Sequence, residues 1–142
     1  MKILSVDVGD ARTGLAVCDR GELLASPVGV IHEFHKERLA DRVADQAREQ
    51  GAEMIVVGHP INMDGTLGPR SALVKEFCSL LSARCGVPVR LWDERGTTVS
   101  ATRILNETDV RGKKRKAVVD AVAAVIILES YLAYRKNHPD GE

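Results

Sequence analysis

The hydrophobic pattern of this chain changes period once, and that change limits its fold more than any other feature. Through residue 31 the apolar residues come in short, β-prone runs. Ile3 to Val8 is the first, Gly9 and Gly14 punctuate the stretch after it, and Leu15 to Cys18 is the second. Arg20, Gly21 and Glu22 form a turn, and Leu23 to Ile31 supplies the third run. Connections this short predict an antiparallel meander. The spacing then becomes helical. Leu39, Ala40, Val43, Ala44 and Ala47 mark one face of a helix from about Glu37 to Glu49, closed by Gly51. Met54 to Val57 is a bare apolar strand ending at Gly58. A polar loop from His59 to Gly68 leads to Pro69 at a helix start. Val74, Phe77, Cys78 and Leu81 give that helix its buried face. Val87 to Trp92 is a strand, Thr97 to Asn106 a short helix, and the last helix runs from about Ala117 to Lys136. The order β-β-β-α-β-α-β-α-α predicts an α/β fold: a mixed five-stranded sheet, hairpins first and α/β units after, with helices on both faces.

Composition supports one domain over residues 1–142, since single cores typically span roughly 100–200 residues. Aromatic residues make up only 4%, so the core must come from Val, Leu, Ile and Ala. Twenty basic residues balance twenty acidic ones, which argues against a partner held by overall charge but leaves room for a local basic patch. Cys18, Cys78 and Cys85 show no CxxC spacing and read as buried small hydrophobes in a reducing compartment. The N-terminus reaches Asp7 before a secretory h-region could form. The longest apolar run, Ala121 to Leu128, falls far short of the ~20 residues that cross a bilayer. The expectation is a soluble, cytoplasmic protein without a membrane partner; a monomer and a homodimer are both compatible with the sequence.

Three carboxylates stand where apolar residues are the rule. Asp7 ends the first strand, on the side of Ile3 and Ser5, and a carboxylate there is paired, caps the turn at Gly9, or holds a metal. Glu94 follows the strand ending at Trp92. Ligands of open α/β sheets bind beyond the carboxyl ends of strands, so Asp7 and Glu94 share an edge if their strands are parallel neighbours. The bland alternative for Glu94 is a surface pair with Arg95. Asp120 is the sharpest signal. The segment from Ala117 to Leu128 holds one charge in twelve residues, and a helix apolar on nearly every face is buried. A buried carboxylate must be neutralised, paired or metal-bound, unless it serves as a dipole partner in the helix's first turn. Together the three acids offer oxygen ligands for a hard cation, Mg²⁺ or Mn²⁺. A metal pair so held can activate water and stabilise the leaving oxygen of a phosphodiester.

Arg111, Lys113, Lys114, Arg115 and Lys116 put five cations in six positions just before the helix that bears Asp120. Beside a candidate site in a chain of zero net charge, they read as a phosphate-binding loop, with Arg70 and Arg95 adding to that surface.

These motifs, in order, resemble the bacterial YqgF/RuvX family over nearly the whole chain. They are Asp7-Val8-Gly9 with Gly14; Gly58-His59-Pro60-Ile61-Asn62-Met63-Asp64-Gly65-Thr66 with Gly68-Pro69-Arg70; Asp93-Glu94-Arg95 followed by Thr97-Thr98; and Lys113-Lys114-Arg115-Lys116 leading to Val119-Asp120. The resemblance implies a ribonuclease H-like fold related to the Holliday-junction resolvase RuvC. It further implies divalent-metal cleavage of phosphodiesters and maturation of the 5′ end of precursor 16S ribosomal RNA on the ribosome. By position, the family's acidic set falls on Asp7, Glu94 and Asp120. The chain departs from the family pattern at His59 and Gly96, beside the site. His59, read as a loop residue, and Asp93 stay outside the acidic set.

Three other readings remain. The DxGxxxxG opening also resembles the phosphate loop of actin-like kinases and ATPases, but these duplicate the fold around a nucleotide and 142 residues hold one copy. A Holliday-junction resolvase would use the same carboxylates on branched DNA. A module that binds structured RNA without cutting it is opposed by the acidic trio.

Overall fold

The computed structural model describes residues 1–59, 68–93 and 112–137, with side chains in the last stretch from residue 121 onward. Strand β1 (Ile3–Asp7) is buried from Ile3 through Val6, as expected of a strand with neighbours on both sides and helices on both faces. β2 (Arg12–Cys18) pairs antiparallel to it, and β3 (Ala25–His32) lies beyond β2. On the other side β4 (Met54–His59) and then β5 (Val89–Asp93) run parallel to β1. The sheet order is β3-β2-β1-β4-β5, the expected five-stranded mixed sheet with the first strand central.

Alternation along the strands divides the core between two faces. Leu4, Val6, Leu15, Ile55 and Val57 pack with Leu39 and Val43 of α1 (Lys36–Gln50) and with Phe77 and Leu81 of α2 (Pro69–Cys85). Ile3, Ala16, Cys18 and Val56 pack with Ala124, Ile127, Leu128 and Tyr131 of α3 (Gly112–Asn137). All five apolar positions read from the α1 sequence are buried. Gly51 ends α1 with φ 70°, a conformation that costs glycine little, and the Ala52 amide returns to the Ala47 carbonyl at 2.8 Å. Phe77 is the largest aliphatic or aromatic plug between α1, α2 and the sheet, and it is wholly buried. Phe77→Ala is expected to cost about 3–5 kcal/mol in a denaturant melt. A loss below about 1 kcal/mol would mean this core collapses around the void.

Several boundaries differ from the sequence reading, β5 among them, which runs Val89–Asp93 and not Val87–Trp92. β2 begins at Arg12 and takes Gly14 into the sheet. β3 begins at Ala25, because the Asp19 carboxylate accepts from the Leu23 and Leu24 amides at 2.8 and 3.1 Å and holds both in the turn. Those leucines are 86% and 65% exposed. β4 continues to His59, which is therefore a strand residue and not part of a loop. α3 begins at Gly112 rather than Ala117, since lysine and arginine are good helix formers and nothing breaks the chain after Gly112. Four of the five cations are thus not in a loop: Lys113, Lys114, Arg115 and Lys116 lie in the first turns of α3, and Arg111 falls outside the described residues. α3 is also less enclosed than expected, with Val122, Ala123, Val125 and Ile126 half-buried. The expected helix over residues 97–106 lies outside the described residues. No helix among the described residues is long and apolar enough to cross a membrane.

Candidate active site at the carboxyl edge of the sheet

Because β1, β4 and β5 are parallel, they deliver Asp7, His59 and Asp93 to one edge of the sheet. Ile3 packs beneath α3, and the buried Ser5 hydroxyl donates to the Ala124 carbonyl at 2.6 Å, so Asp7 comes next on the α3 side. Tyr131 lies toward the opposite edge, its hydroxyl 3.5 Å from the sulfur of Met54, which pairs with Ile3. The helix therefore runs antiparallel to β1. From Ser5 to Asp7 the strand advances about 7 Å, and from Ala124 back to position 120 the helix advances about 6 Å. Positions 7 and 120 both lie on the carboxyl-edge side of the Ser5–Ala124 contact, one along the strand and one along the helix backbone. Asp120 is also eight residues past Gly112, more than two turns into α3. The helix dipole acts within the first turn, so the reading of Asp120 as a dipole partner is removed.

The positions on either side of Asp7 carry no side chain. Gly14 pairs directly with Asp7 across the antiparallel ladder. On β4, Val57 pairs with Val6, so Gly58 is the next position, on the face that Val56 shares with α3. Two glycines thus leave the α3 side of Asp7 uncrowded within the sheet.

The turn after β1 is built to close tolerances. A Cβ on Gly9 would stand deep inside contact distance of the Arg12 carbonyl oxygen and 3.2 Å from its carbon, so only glycine fits there. The Arg70 guanidinium donates to the Val8 carbonyl at 2.7 Å and reaches the Asp10 carboxylate at 3.4 Å. The Lys36 ammonium donates to the Gly9 carbonyl at 3.0 Å and the Asp10 carbonyl at 3.4 Å.

His59 faces α2, where its Nε2 lies 2.6 Å from the hydroxyl of Ser71, a buried residue in the first turn of that helix. Desolvation, aided by the charge of Lys75, holds the imidazole below its ordinary pKa, against an opposing pull from Asp93, its partner in the β4–β5 register. The ring ties the end of β4 to the start of α2, away from the face that carries Asp7.

Among the sequence-predicted site residues, Asp7 is half-buried at the expected edge. β4 lies between β1 and β5, so the strand preceding Glu94 shares the edge with Asp7 but is not its neighbour; the separation is two strand spacings, about 9.5 Å. Glu94 and Arg95 lie outside the described residues, as do the side chains of Asp120 and of Lys113 through Lys116. Among the described residues no group of three potential ligands forms a metal centre. Arg70, read from sequence as a nucleic-acid contact, is bonded to the turn after β1. Sequence reasoning missed Lys36 and Ser71 as parts of this edge, and gave Ser5 and Gly58, which it had named, no part in it.

A family model described as RuvX, Holliday junction resolvase, matches residues 1–134. A protein of Clostridioides difficile is 43% identical over 136 residues, 96% of each chain, and one of Listeria monocytogenes (strain EGD-e) is 46% identical over 134 residues, 93% of this chain and 97% of its own. Both bear the name "Putative pre-16S rRNA nuclease". Among solved structures, Thermus thermophilus RuvC superposes with a TM-score of 0.60 at 17% identity, covering 96% of this chain and 97% of that one. The fowlpox virus Holliday junction resolvase gives 0.58 at 14% identity, covering 94% and 99%. At such identities the likeness shows the fold, the ribonuclease H-like arrangement that the family resemblance implied. With that sheet, the acid at its carboxyl edge and a match along nearly its whole length, the chain belongs to the RuvX family.

Proposed function

We propose that this chain is a divalent-metal-dependent endonuclease that matures the 5′ end of precursor 16S ribosomal RNA, with Asp7, Glu94 and Asp120 as its metal ligands. The observation that supports the reading is the Ser5–Ala124 bond, which fixes α3 against β1 with positions 7 and 120 both toward the carboxyl edge, where Gly14 flanks Asp7. Carboxylate oxygens on rigid elements are the donor set a hard cation takes, so the residues fit Mg²⁺ or Mn²⁺. Glu94 is assigned from sequence: it directly follows β5, and Arg90 and Trp92, the preceding residues of its alternation, bond to Tyr131 and Ser130 of α3. When bound, such a cation activates water and neutralises charge developing on the phosphodiester. The chain's own part is to hold the three carboxylates, to keep the space beside Asp7 open, and to bind phosphates. Four consecutive cations open α3, whose first turn has no acid. Charges of that sign oppose the helix dipole, and an anionic backbone relieves them. The relatives named for pre-16S rRNA support RNA as substrate, and three free cysteines accord with a reducing cytoplasm.

The deciding experiment presents ribosome-bound precursor 16S rRNA and a four-way DNA junction, with Mg²⁺ or Mn²⁺, beside an Asp7→Asn control. Metal-dependent cleavage at the RNA 5′ end, absent from the control, is expected. Cutting of the junction alone would make the chain a resolvase. Binding without cleavage of either would make it a non-cleaving module. The basic residues have their own test. Replacing Arg111, Lys113, Lys114, Arg115 and Lys116 with glutamine should weaken RNA binding at least about tenfold at low salt and flatten its salt dependence by about 0.7 in log–log slope per lost phosphate contact. Unchanged affinity at both low and moderate salt would return them to a solvated helix face.

A further inference from the structure

We propose that Arg70 and Lys36 are positioning residues for Asp7, clamping the turn after β1 so that its carboxylate is held ready for a divalent cation. The inference rests on Asp7 being a metal ligand, the reading proposed for this site. β1 leaves the sheet after Asp7, and β2 does not begin until Arg12. The carbonyls of Val8, Gly9 and Asp10 are bonded by two side chains: Arg70 on Val8, and Lys36 on Gly9 and Asp10. The clamps come from different helices, each from its first turn, and those helices are fixed against each other by the packing of Leu39, Val43, Val74 and Phe77. Asp7 is thereby bracketed. Ser5 ties the strand to α3 on one face, while Val6 and Val8 are buried against α1 and α2 on the other. A turn held at three successive carbonyls cannot slide, and a ligand's supporting contacts govern how well it binds.

Charge and position predict opposite signs. A cation near a bound dication repels it, so deleting Arg70 or Lys36 would tighten metal binding if charge alone mattered. Loss of positioning weakens it instead. The test is a calorimetric titration of the full-length protein with Mn²⁺ alone, for wild type, Arg70→Ala, Lys36→Ala and Arg70→Lys, with circular dichroism to confirm the fold. Arg70→Ala and Lys36→Ala are expected to raise the Kd for Mn²⁺ about tenfold or more. Arg70→Lys keeps the charge, but one ammonium cannot span the Val8 carbonyl and the Asp10 carboxylate as the guanidinium does, so it should recover only part of the loss. Should an alanine variant fail to fold, Arg70→Lys and Lys36→Met carry the same comparison. Equal or tighter Mn²⁺ binding in folded variants, even with a lowered melting temperature, overturns the proposal and leaves the metal reading standing. A wild-type protein that does not bind Mn²⁺ at millimolar concentration overturns the metal reading, and this proposal with it.

Discussion

Replacing Asp7 or Asp120 with asparagine is expected to abolish phosphodiester cleavage, by at least about 10³-fold or 4 kcal/mol of transition-state stabilisation, while leaving the protein folded and able to bind RNA. Asparagine nearly matches aspartate in volume and still hydrogen-bonds, but it lacks the charge that binds and neutralises a dication. Position 7 ends the central strand beside Gly14, and position 120 lies more than two turns into α3. Crowded carboxylates without metal repel one another. In chelator each variant should therefore melt at or above the wild-type temperature, as expected of a site built for function. A purely structural carboxylate predicts the reverse, because breaking a buried ion pair is strongly destabilising. Thermal melts with chelator, run beside a Mn²⁺-supported cleavage assay, read both halves. A variant that melts clearly lower yet cuts at the normal rate would remove that residue from the catalytic set.

Gly9→Ala should do the opposite, damaging the fold first. The added methyl would overlap the Arg12 carbonyl, a main-chain atom that cannot rotate aside. Arg12 is in turn paired with His32 on β3, so relief requires moving the start of β2 and the end of β3. We expect a loss of about 3 kcal/mol, at the upper end for overpacking, and a melting temperature lower by roughly 10 °C. Gly21→Ala is the matched control. Its nearest neighbour would be the Asp19 carboxylate at an ordinary 3.6 Å, and its stability should stay within about 0.5 kcal/mol of wild type. Equal melting of the two variants would show that the β1–β2 turn yields more easily than its geometry indicates. Because the turn also carries the carbonyls held by Arg70 and Lys36, cleavage by Gly9→Ala should fall with its stability.

Among the described residues, the elements and the fold class were legible along the chain. Spacing of apolar residues reports the local period, and the buried face of α1 could be read residue by residue for that reason. Helix ends were less legible. The apolar stripe of α3 stops at Ala117 while the helix continues through cations that need no buried face, so periodicity placed its start five residues late. Which groups meet was settled by tertiary packing alone. It put β4 between β1 and β5, made His59 a strand residue bonded to Ser71, and bonded Arg70 to the Val8 carbonyl. The Ser5–Ala124 bond, which sets the height of the last helix over the first strand, joins residues 119 apart in the chain. No local pattern encodes such a pairing, because its partners are chosen by the packing of two faces against one sheet rather than by the spacing of neighbours along the chain.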